Sequence, residues 1–144
     1  MTFARRNAPD VPLVKGPTQA GVAISAVGAV TFTALAAAWT SSDIQVDQYS
    51  ELAIDLTSTT ITTNVILTVQ RKGADGAYYT IATSATQVTG GGTHSLSIGS
   101  GMANVADTAA ATTVWSVAAS LGDVIRVVVT PTGAFTGTLS VKGK

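Results

Sequence analysis

Apolar and polar residues alternate through residues 51–83, and this pattern is the clearest structural signal in the chain. The alternating apolar positions are Leu52, Ile54, Leu56, Val65, Leu67, Val69, Tyr79 and Ile81. A period of two residues is typical of strands that bury one face. Before the last run, the sequence RKGADG ends in Asp75-Gly76, a pair that favours a tight hairpin turn. The stretch therefore predicts three consecutive strands.

Short apolar runs of the same kind flank this stretch on both sides. They lie around Val22, Phe32 and Ile44, and over residues 94–98, 113–117, 123–130 and 135–141. The run at 123–130 has apolar residues on both faces, which predicts a central strand. Residues 99–111 predict either a long loop or a short helix over 102–110. The whole pattern predicts about eight to ten short strands, spaced as in a sandwich.

Residues 1–19 differ from the rest of the chain in composition. They contain three of the four prolines, at positions 9, 12 and 17, and three of the eight Lys and Arg residues. Proline disfavours helix and cannot donate to a strand ladder. We therefore expect an extended N-terminal arm over residues 1–19, followed by one all-β domain over residues 20–144. This domain is predicted to be an antiparallel, jelly-roll-like β-sandwich. For the arm, a loose leader without a role is the alternative.

The composition argues against several classes of partner. The chain is 46% hydrophobic and 11% charged, with a net charge of zero, whereas roughly 25% charged residues is usual for soluble domains. No excess of charge attracts the protein to nucleic acid or to an anionic membrane. There is no cysteine, so neither a disulfide nor a thiolate metal site is possible. A neutral, charge-poor chain suits a subunit packed among partners.

No charged residue occurs between Lys15 and Asp43, so this stretch is the one candidate for a membrane span or a signal peptide. Ala, Gly, Ser and Thr dominate this stretch, and strongly membrane-favouring residues are scarce. Prolines and charges separate Arg5 and Arg6 from the apolar run, unlike in a signal peptide. The stretch is therefore interpreted as one or two strands, with no membrane partner.

Catalytic chemistry finds little support in the sequence. His94 is the single histidine, and Ser95 and Ser97 lie near it without a nucleophile-elbow pattern. Zinc requires several His or Cys ligands, which are lacking. We predict that the protein is not an enzyme and needs no cofactor.

Four carboxylates recur at a spacing of four residues, at Asp43, Asp47, Glu51 and Asp55. One interpretation is a calcium site; the favoured one is the solvated faces of strands, because calcium loops bring their ligands closer together in sequence. Arg126 interrupts the buried-looking run 123–130, so it must pair or reach the surface. The candidate partners within the chain are Asp55 and Glu51, and Asp47 is a third possible partner. The alternative is an intersubunit salt bridge.

Four aromatic residues allow two interpretations. They are Trp39, Trp115, Tyr78 and Tyr79. Exposed together, they would form a stacking platform for a sugar. Packed separately, they would serve the core or an interface, and this second interpretation is favoured.

Three stretches carry a resemblance to known proteins: SELAIDL, TVQRKGADGAYYTIA and LGDVIRVVVTPTGAFTGTLSVKGK. They resemble small β-sandwich virion proteins of tailed bacteriophages, most of all capsid decoration (cement) proteins, over about residues 45–144. The resemblance implies a non-enzymatic structural protein on the capsid exterior, made in the host bacterial cytoplasm. It also implies binding to the major capsid protein, capsid stabilisation by bridging of its subunits, and a homotrimer.

Decoration proteins often clamp capsid subunits with terminal arms, so the resemblance implies capsid contacts along the N-terminal arm. The candidate contact residues are Phe3, Arg5, Arg6, Pro9, Pro12 and Lys15. The alternative function is a head-fibre or tail accessory module that binds a host receptor or glycan.

Overall fold

The chain forms two β-sheets that pack face to face, as predicted. The computed structural model describes residues 22–23, 29–61, 64–85, 92–108 and 112–144. Within these residues there are eleven strands and no helix. In chain order the strands are β1 (Val22–Ala23), β2 (Ala29–Leu35), β3 (Trp39–Thr40), β4 (Ile44–Gln45), β5 (Glu51–Ile61), β6 (Val65–Lys72), β7 (Tyr78–Thr83), β8 (Gly92–Gly99), β9 (Thr113–Ala118), β10 (Val124–Pro131) and β11 (Phe135–Gly143).

Sheet 1 has the order β1-β11-β5-β8-β9, and β2 pairs with the same side of β11 as β1. Sheet 2 has the order β3-β10-β6-β7, and β4 also pairs with β10. All the pairs are antiparallel except β8 with β9, which run parallel. β10 lies between neighbours on both sides, which confirms the central strand predicted from its apolar run.

The core lies between the sheets and contains the apolar residues that the alternation placed inward. Sheet 1 contributes Phe32, Leu52, Ile54, Leu56, Leu96, Ile98, Trp115, Phe135, Leu139 and Val141. Sheet 2 contributes Ile44, Val65, Leu67, Val69, Ala82, Ile125, Val127 and Val129. Both faces of the core are formed by branched and aromatic side chains, which pack well on a pleated surface.

The threonine-rich segment after Leu56 is strand rather than linker as far as Ile61. Here β5 pairs with β11, and the register shifts between Thr136 and Gly137. A Cβ atom on Gly137 would lie 2.1 Å from the carbonyl oxygen of Thr57. Glycine is therefore required where these two backbones approach each other.

The apolar face predicted for β7 is confirmed for Ile81, which packs against the core, but not for Tyr79. Register along β6 and β7 shifts after the pair Val69–Ala82, so that Gln70 is opposite Thr80 and Ile81 is the extra residue of a β-bulge. The extra residue brings Ala82 into the core next to Ile81. Tyr79 is opposite Arg71 on the core side of the sheet, but it lies at the hairpin end, beyond the core, and is 49% exposed.

The hairpin turn before β7 is confirmed. The Gly76 amide donates to the Gly73 carbonyl at 3.0 Å, and Gly76 has a φ of 83°, which favours glycine. The Asp75 carboxylate accepts a hydrogen bond from the Ala77 amide at 3.0 Å. The hairpin is closed by the residues that the sequence indicated.

Of the two alternatives for residues 99–111, the loop agrees with the described part, because residues 102–108 form irregular chain with one isolated bridge between Val105 and Ser116. The predicted arm over 1–19 lies outside the described residues. No described helix is long and apolar enough to cross a membrane.

Candidate functional site

The outer face of sheet 1 carries short side chains in register across its strands. One row consists of Thr31, Thr138, Thr57 and Thr93, and the next consists of Ala29, Ser140, Asp55, Ser95 and Val114. We call these nine residues the sheet 1 face. None of them is longer than aspartate, and Asp55 is the charged one among them. The result is a shallow surface with one charged residue, and the exposed Lys142 lies in the next row, opposite Ala53.

Hydrogen bonds within the sheet 1 face engage its polar groups with one another. The hydroxyl oxygens of Thr57 and Thr93 are 3.1 Å apart. The Ser95 hydroxyl donates to the Asp55 carboxylate. Val114 is apolar and 73% exposed at the β9 border of the face. Covering this surface therefore requires little desolvation of unpaired charge.

The first described strand, β1, lies at one border of the sheet 1 face. Val22 of β1 pairs with Gly143, and Ala23 pairs with Lys142, at the edge of β11. The predicted N-terminal arm is therefore connected to the sandwich beside the sheet 1 face. The six candidate contact residues of that arm, from Phe3 to Lys15, lie outside the described residues.

The outer face of sheet 2 is different, because it carries long polar side chains that contact one another. The Arg126 guanidinium carbon lies 3.5 Å from the centroid of the Tyr78 ring. Arg126 Nε donates to Gln70 Oε1 at 2.7 Å. Stacking on an aromatic ring suits the planar, weakly hydrated guanidinium. Arg126 thus reaches the surface and is satisfied there.

Asp43 anchors the same cluster at its edge. Its carboxylate accepts a hydrogen bond from the Tyr78 hydroxyl at 2.5 Å and one from Lys72 Nζ at 3.0 Å. These bonds, that from Tyr78 first, lower the pKa of Asp43 from its ordinary value. The hydrogen bond to Asp43 raises the pKa of Lys72. We call Asp43, Gln70, Lys72, Tyr78 and Arg126 the sheet 2 cluster.

The predicted ion pair of Arg126 with Asp55 or Glu51 is wrong. Arg126 points outward from sheet 2, whereas both carboxylates point outward from sheet 1, so the core separates them. Glu51 instead pairs with Lys144, at 2.7 Å between Oε1 and Nζ. A strand pattern gives the face of a residue, but it does not say to which sheet the strand belongs.

The four regularly spaced carboxylates are not brought together. Asp43 belongs to the sheet 2 cluster, Glu51 pairs with Lys144, and Asp55 accepts from Ser95. Asp47 is exposed. Among the described residues, no group of three or more His, Asp or Glu side chains is arranged to hold a metal ion.

The four aromatic residues do not form a common platform. Trp115, on β9 of sheet 1, lies in the core and is 3% exposed. Trp39 packs edge-on against Phe32, with ring centroids 5.1 Å apart. Tyr78 lies beneath Arg126, and Tyr79 is exposed at the hairpin. The packing interpretation of these residues is the one that agrees with the structure.

A buried pair of ionisable residues was not anticipated from the sequence. His94 Nδ1 lies 2.9 Å and 3.1 Å from the two carboxylate oxygens of Asp107, and both side chains are 2% exposed. Asp107 Oδ2 also accepts the Ala85 amide at 2.6 Å. Ser95 and Ser97 alternate with His94 and face outward, so they cannot share its site.

A signal for this pair is present in the sequence. Between Tyr79 and Asp123, His94 and Asp107 are the sole ionisable side chains. In a long stretch without other ionisable residues, two such residues of complementary chemistry are natural partners, because a buried charge requires pairing. The pair was missed because Asp107 lies in an irregular segment, where no periodicity indicates the direction of a side chain.

A depression of about 490 Å³ adjoins this pair at the open side of the sandwich. It lies between the residues that follow β7, the segment around Val105, and β9. Trp115 lines it, and the Trp115 indole nitrogen is buried without a hydrogen-bond partner among the described residues. Its polar lining residues Ser84, Asp107 and Ser116 are engaged in bonds within the chain.

No family model matches the chain, and comparisons with curated proteins and with solved structures found no match.

Proposed function

We propose that the chain is a non-enzymatic structural protein of a tailed-bacteriophage virion, which binds the outer surface of the capsid and bridges capsid subunits. One observation carries the proposal: the sheet 1 face is shallow and charge-poor, and β1 connects the N-terminal arm to the edge of the same sheet. The two parts of the chain suited to contact a capsid are therefore adjacent. The sequence resemblance to decoration proteins supports the same function.

The physical chemistry of the sheet 1 face suits a protein partner. Ser, Thr and Ala side chains lose little conformational entropy when they are covered. Their short length permits close approach of a second surface. Asp55, the charged residue of the face, already accepts a hydrogen bond from Ser95. Burial of the face therefore costs little on the side of this chain.

The size of the face explains why the arm is needed. Nine outward residues, each taking about 4.8 Å across the sheet and two residues at a rise of about 3.3 Å along the strand, give roughly 300 Å². A stable interface buries roughly 800 Å² on each partner. The N-terminal arm would provide the remaining contact area through residues such as Phe3, Arg5 and Arg6.

Bridging explains how such binding would stabilise a capsid. A protein that binds the assembled shell, but not its separated subunits, shifts the equilibrium toward the shell by mass action. A homotrimer at a local three-fold position would contact several subunits at once, and multivalent binding would then raise the overall affinity. The proposed partner is the major capsid protein of the phage that encodes this chain.

The test is reconstitution on capsids of that phage prepared without this protein. Full-length chain, Thr57→Lys and Thr68→Lys are compared in a sedimentation binding assay. Thr57 and Thr68 are both half-buried threonines on central strands, but they lie on the outer faces of sheet 1 and sheet 2, respectively. We expect Thr57→Lys to weaken binding by about tenfold or more, which corresponds to about 1.4 kcal/mol, and Thr68→Lys to bind as the wild type does.

Removal of residues 1–19 tests the arm separately. The truncated chain is expected to bind more weakly than the full chain, because contact area is lost. Undiminished binding would contradict the role of the arm. Equal binding by Thr57→Lys and Thr68→Lys would contradict the role of the sheet 1 face, and absence of binding by the wild type would contradict the proposed function itself.

A further inference from the structure

The hairpin between β6 and β7 contains a dipeptide with its own covalent chemistry. Of the seven aspartates in the chain, Asp75 alone precedes a glycine. Asp75 and Gly76 are both exposed at the turn, and a Cβ atom placed on Gly76 would meet nothing within 4 Å. Because glycine has no side chain, its backbone can approach a neighbouring group closely. The amide nitrogen of Gly76 is therefore not shielded sterically from the Asp75 carboxyl group.

An aspartyl–glycyl pair can cyclise within the chain. The amide nitrogen of Gly76 attacks Cγ of Asp75, a bond forms between these two atoms, and the carboxyl OH leaves as water with the amide proton. Water then opens the resulting succinimide ring at either carbonyl. One opening restores aspartate. The other gives isoaspartate, whose backbone runs through Cγ and is longer by one methylene group, and the reaction needs no co-reactant other than water.

Hydrogen bonds in the folded hairpin hold both reacting groups away from this reaction. The nucleophile is the Gly76 amide, which donates to the Gly73 carbonyl at 3.0 Å. The electrophile is the Asp75 carboxylate, which accepts from the Ala77 amide at 3.0 Å through Oδ1 and from the Tyr79 hydroxyl at 2.5 Å through Oδ2. Each carboxylate oxygen thus has a donor. Attack requires that the two groups first leave these positions, because reaction depends on their alignment.

Tyr79 is held in place for its contact with Asp75. A Cβ atom on Gly73 would lie 2.7 Å from Tyr79 Cε2, so the ring lies across the turn where glycine leaves room for it. Tyr79 also pairs with Arg71 in the β6–β7 ladder, so a paired strand presents its hydroxyl. The hydrogen bond from Tyr79, and then that from the Ala77 amide, lower the pKa of Asp75. Both bonds favour the ionised carboxylate, which is a poor target for a nucleophile.

We propose that Asp75–Gly76 is a latent succinimide site, and that the hydroxyl of Tyr79 is the group that keeps it unreactive in the folded protein. Isoaspartate at position 75 would lengthen the turn. It would thereby disturb the bond from the Gly73 amide to the Ala77 carbonyl, which closes the hairpin at 2.7 Å. Tyr79 acts here by positioning the carboxylate, which accounts for a large side chain that is 49% exposed at this turn. This inference is independent of the proposed capsid contact.

The test is to age the full-length protein at neutral pH in water enriched in heavy oxygen. Each succinimide that forms and opens leaves one heavy oxygen atom at residue 75, whichever isomer results, and mass spectrometry of the digested chain measures this label. Wild type, Tyr79→Phe and Tyr78→Phe are compared with a synthetic peptide of residues 71–79. Tyr78→Phe is the matched control, because it removes a tyrosine hydroxyl that donates to a different aspartate, Asp43.

The rate of labelling at residue 75 decides between the outcomes. We expect wild type and Tyr78→Phe to be labelled at least about tenfold more slowly than the peptide, and Tyr79→Phe at least about threefold faster than wild type. As the pH is lowered, the rate in Tyr79→Phe should begin to rise at a higher pH than in wild type, because the pKa of Asp75 is then lowered less. An unlabelled peptide, or a wild-type rate equal to that of the peptide, would overturn the latent site. Equal rates in Tyr79→Phe and wild type would overturn the role of Tyr79.

Amide hydrogen exchange at Gly73 separates the effect of the hydroxyl from opening of the hairpin. The Gly73 amide donates to the Ala77 carbonyl, so its protection reports a closed turn. We expect the same protection in Tyr79→Phe as in wild type, together with the faster labelling at residue 75. Faster labelling with loss of this protection would show that the turn had opened, and it would overturn the specific role of the Tyr79 hydroxyl.

Discussion

The two sheets differ in how they place their ionisable side chains. The sheet 1 face carries one charged residue, Asp55, with Lys142 in the next row along β11, and the inner side of sheet 1 buries His94, paired with Asp107. Sheet 2 has an apolar inner side, and its outer face carries the paired side chains of Arg126, Lys72 and Asp43. Each sheet therefore leaves a different surface for partners, although both were built from the same alternation of residues.

This difference indicates which polar groups stabilise the fold and which surface is available to a partner. A buried pair is costly to break, because removal of one partner leaves the other without compensation. Exposed pairs contribute little, since water and salt screen them. The sheet 2 cluster thus covers its surface with satisfied polar groups, whereas the sheet 1 face stays open to a partner. Four changes test this contrast, from the largest expected effect to the smallest.

Asp107→Ala should have the largest effect on stability. It removes the buried acceptor of the Ala85 amide and of His94, so we expect a loss of about 2–4 kcal/mol in the free energy of unfolding. Urea unfolding at neutral pH measures this. Asp43→Ala, which removes an exposed carboxylate, is the matched control and should cost clearly less. Equal losses in the two variants would contradict the contrast between the sheets.

Arg126→Ala should have an intermediate effect. It removes the stacking on Tyr78, the bond to Gln70 and the packing of the side-chain stem, for an expected loss of about 1–2 kcal/mol in the free energy of unfolding. Arg126→Lys keeps the charge but loses the planar stack, so it should recover less than the full amount. An unchanged free energy of unfolding in Arg126→Ala would show that the contacts of Arg126 in the sheet 2 cluster do not contribute to stability.

The titration of Asp43 should reveal the hydrogen bonds of the sheet 2 cluster. The bond from Tyr78, and then that from Lys72, lower the pKa of Asp43. The contribution to stability is therefore present above the unfolded pKa and is lost as the pH falls through the folded pKa. Carboxyl chemical shifts measure this pKa. Tyr78→Phe should raise it more than Lys72→Met does, and the reverse order would contradict the assigned causes.

The smallest effect is expected at the tip of the β6–β7 hairpin. The Tyr79 hydroxyl donates to Asp75 Oδ2 at 2.5 Å, and this bond raises the pKa of Tyr79. Its contribution to stability is present at neutral pH and is lost as the pH rises through the folded pKa. NMR of the Tyr79 ring measures the titration. Asp75→Asn should lower the pKa toward the ordinary value, and an unchanged titration would show that the bond does not form.

Local pattern was sufficient to predict most of the sandwich. The alternation at Leu52, Ile54 and Leu56 gave the correct buried face, because strand side chains alternate strictly wherever the ladder is regular. It failed at Tyr79 because this residue, opposite Arg71, lies at the hairpin end, beyond the edge of the core. It also missed Ala82, which enters the core because Ile81 is the extra residue of a bulge. No residue type in this segment predicts the bulge.

The contacts between elements were much harder to predict. The partner of Arg126 depends on which strands are neighbours in the same sheet, and β10 pairs with β6 from a distant part of the sequence. His94 and Asp107 meet through an irregular segment, which has no period to interpret. The rows of the sheet 1 face likewise depend on register between four or five strands. Such information is tertiary and is not contained in any single run of residues.

The most direct test of the proposed function is a cryo-electron microscopy map of tailed-phage particles assembled with this chain. If the proposal is correct, density for the sandwich lies on the outside of the head, with Thr57 and Thr138 of the sheet 1 face toward the capsid and the sheet 2 cluster toward solvent. Density at the tail, absence of the protein from the particles, or a sandwich bound with Arg126 and Tyr78 against the capsid would contradict it.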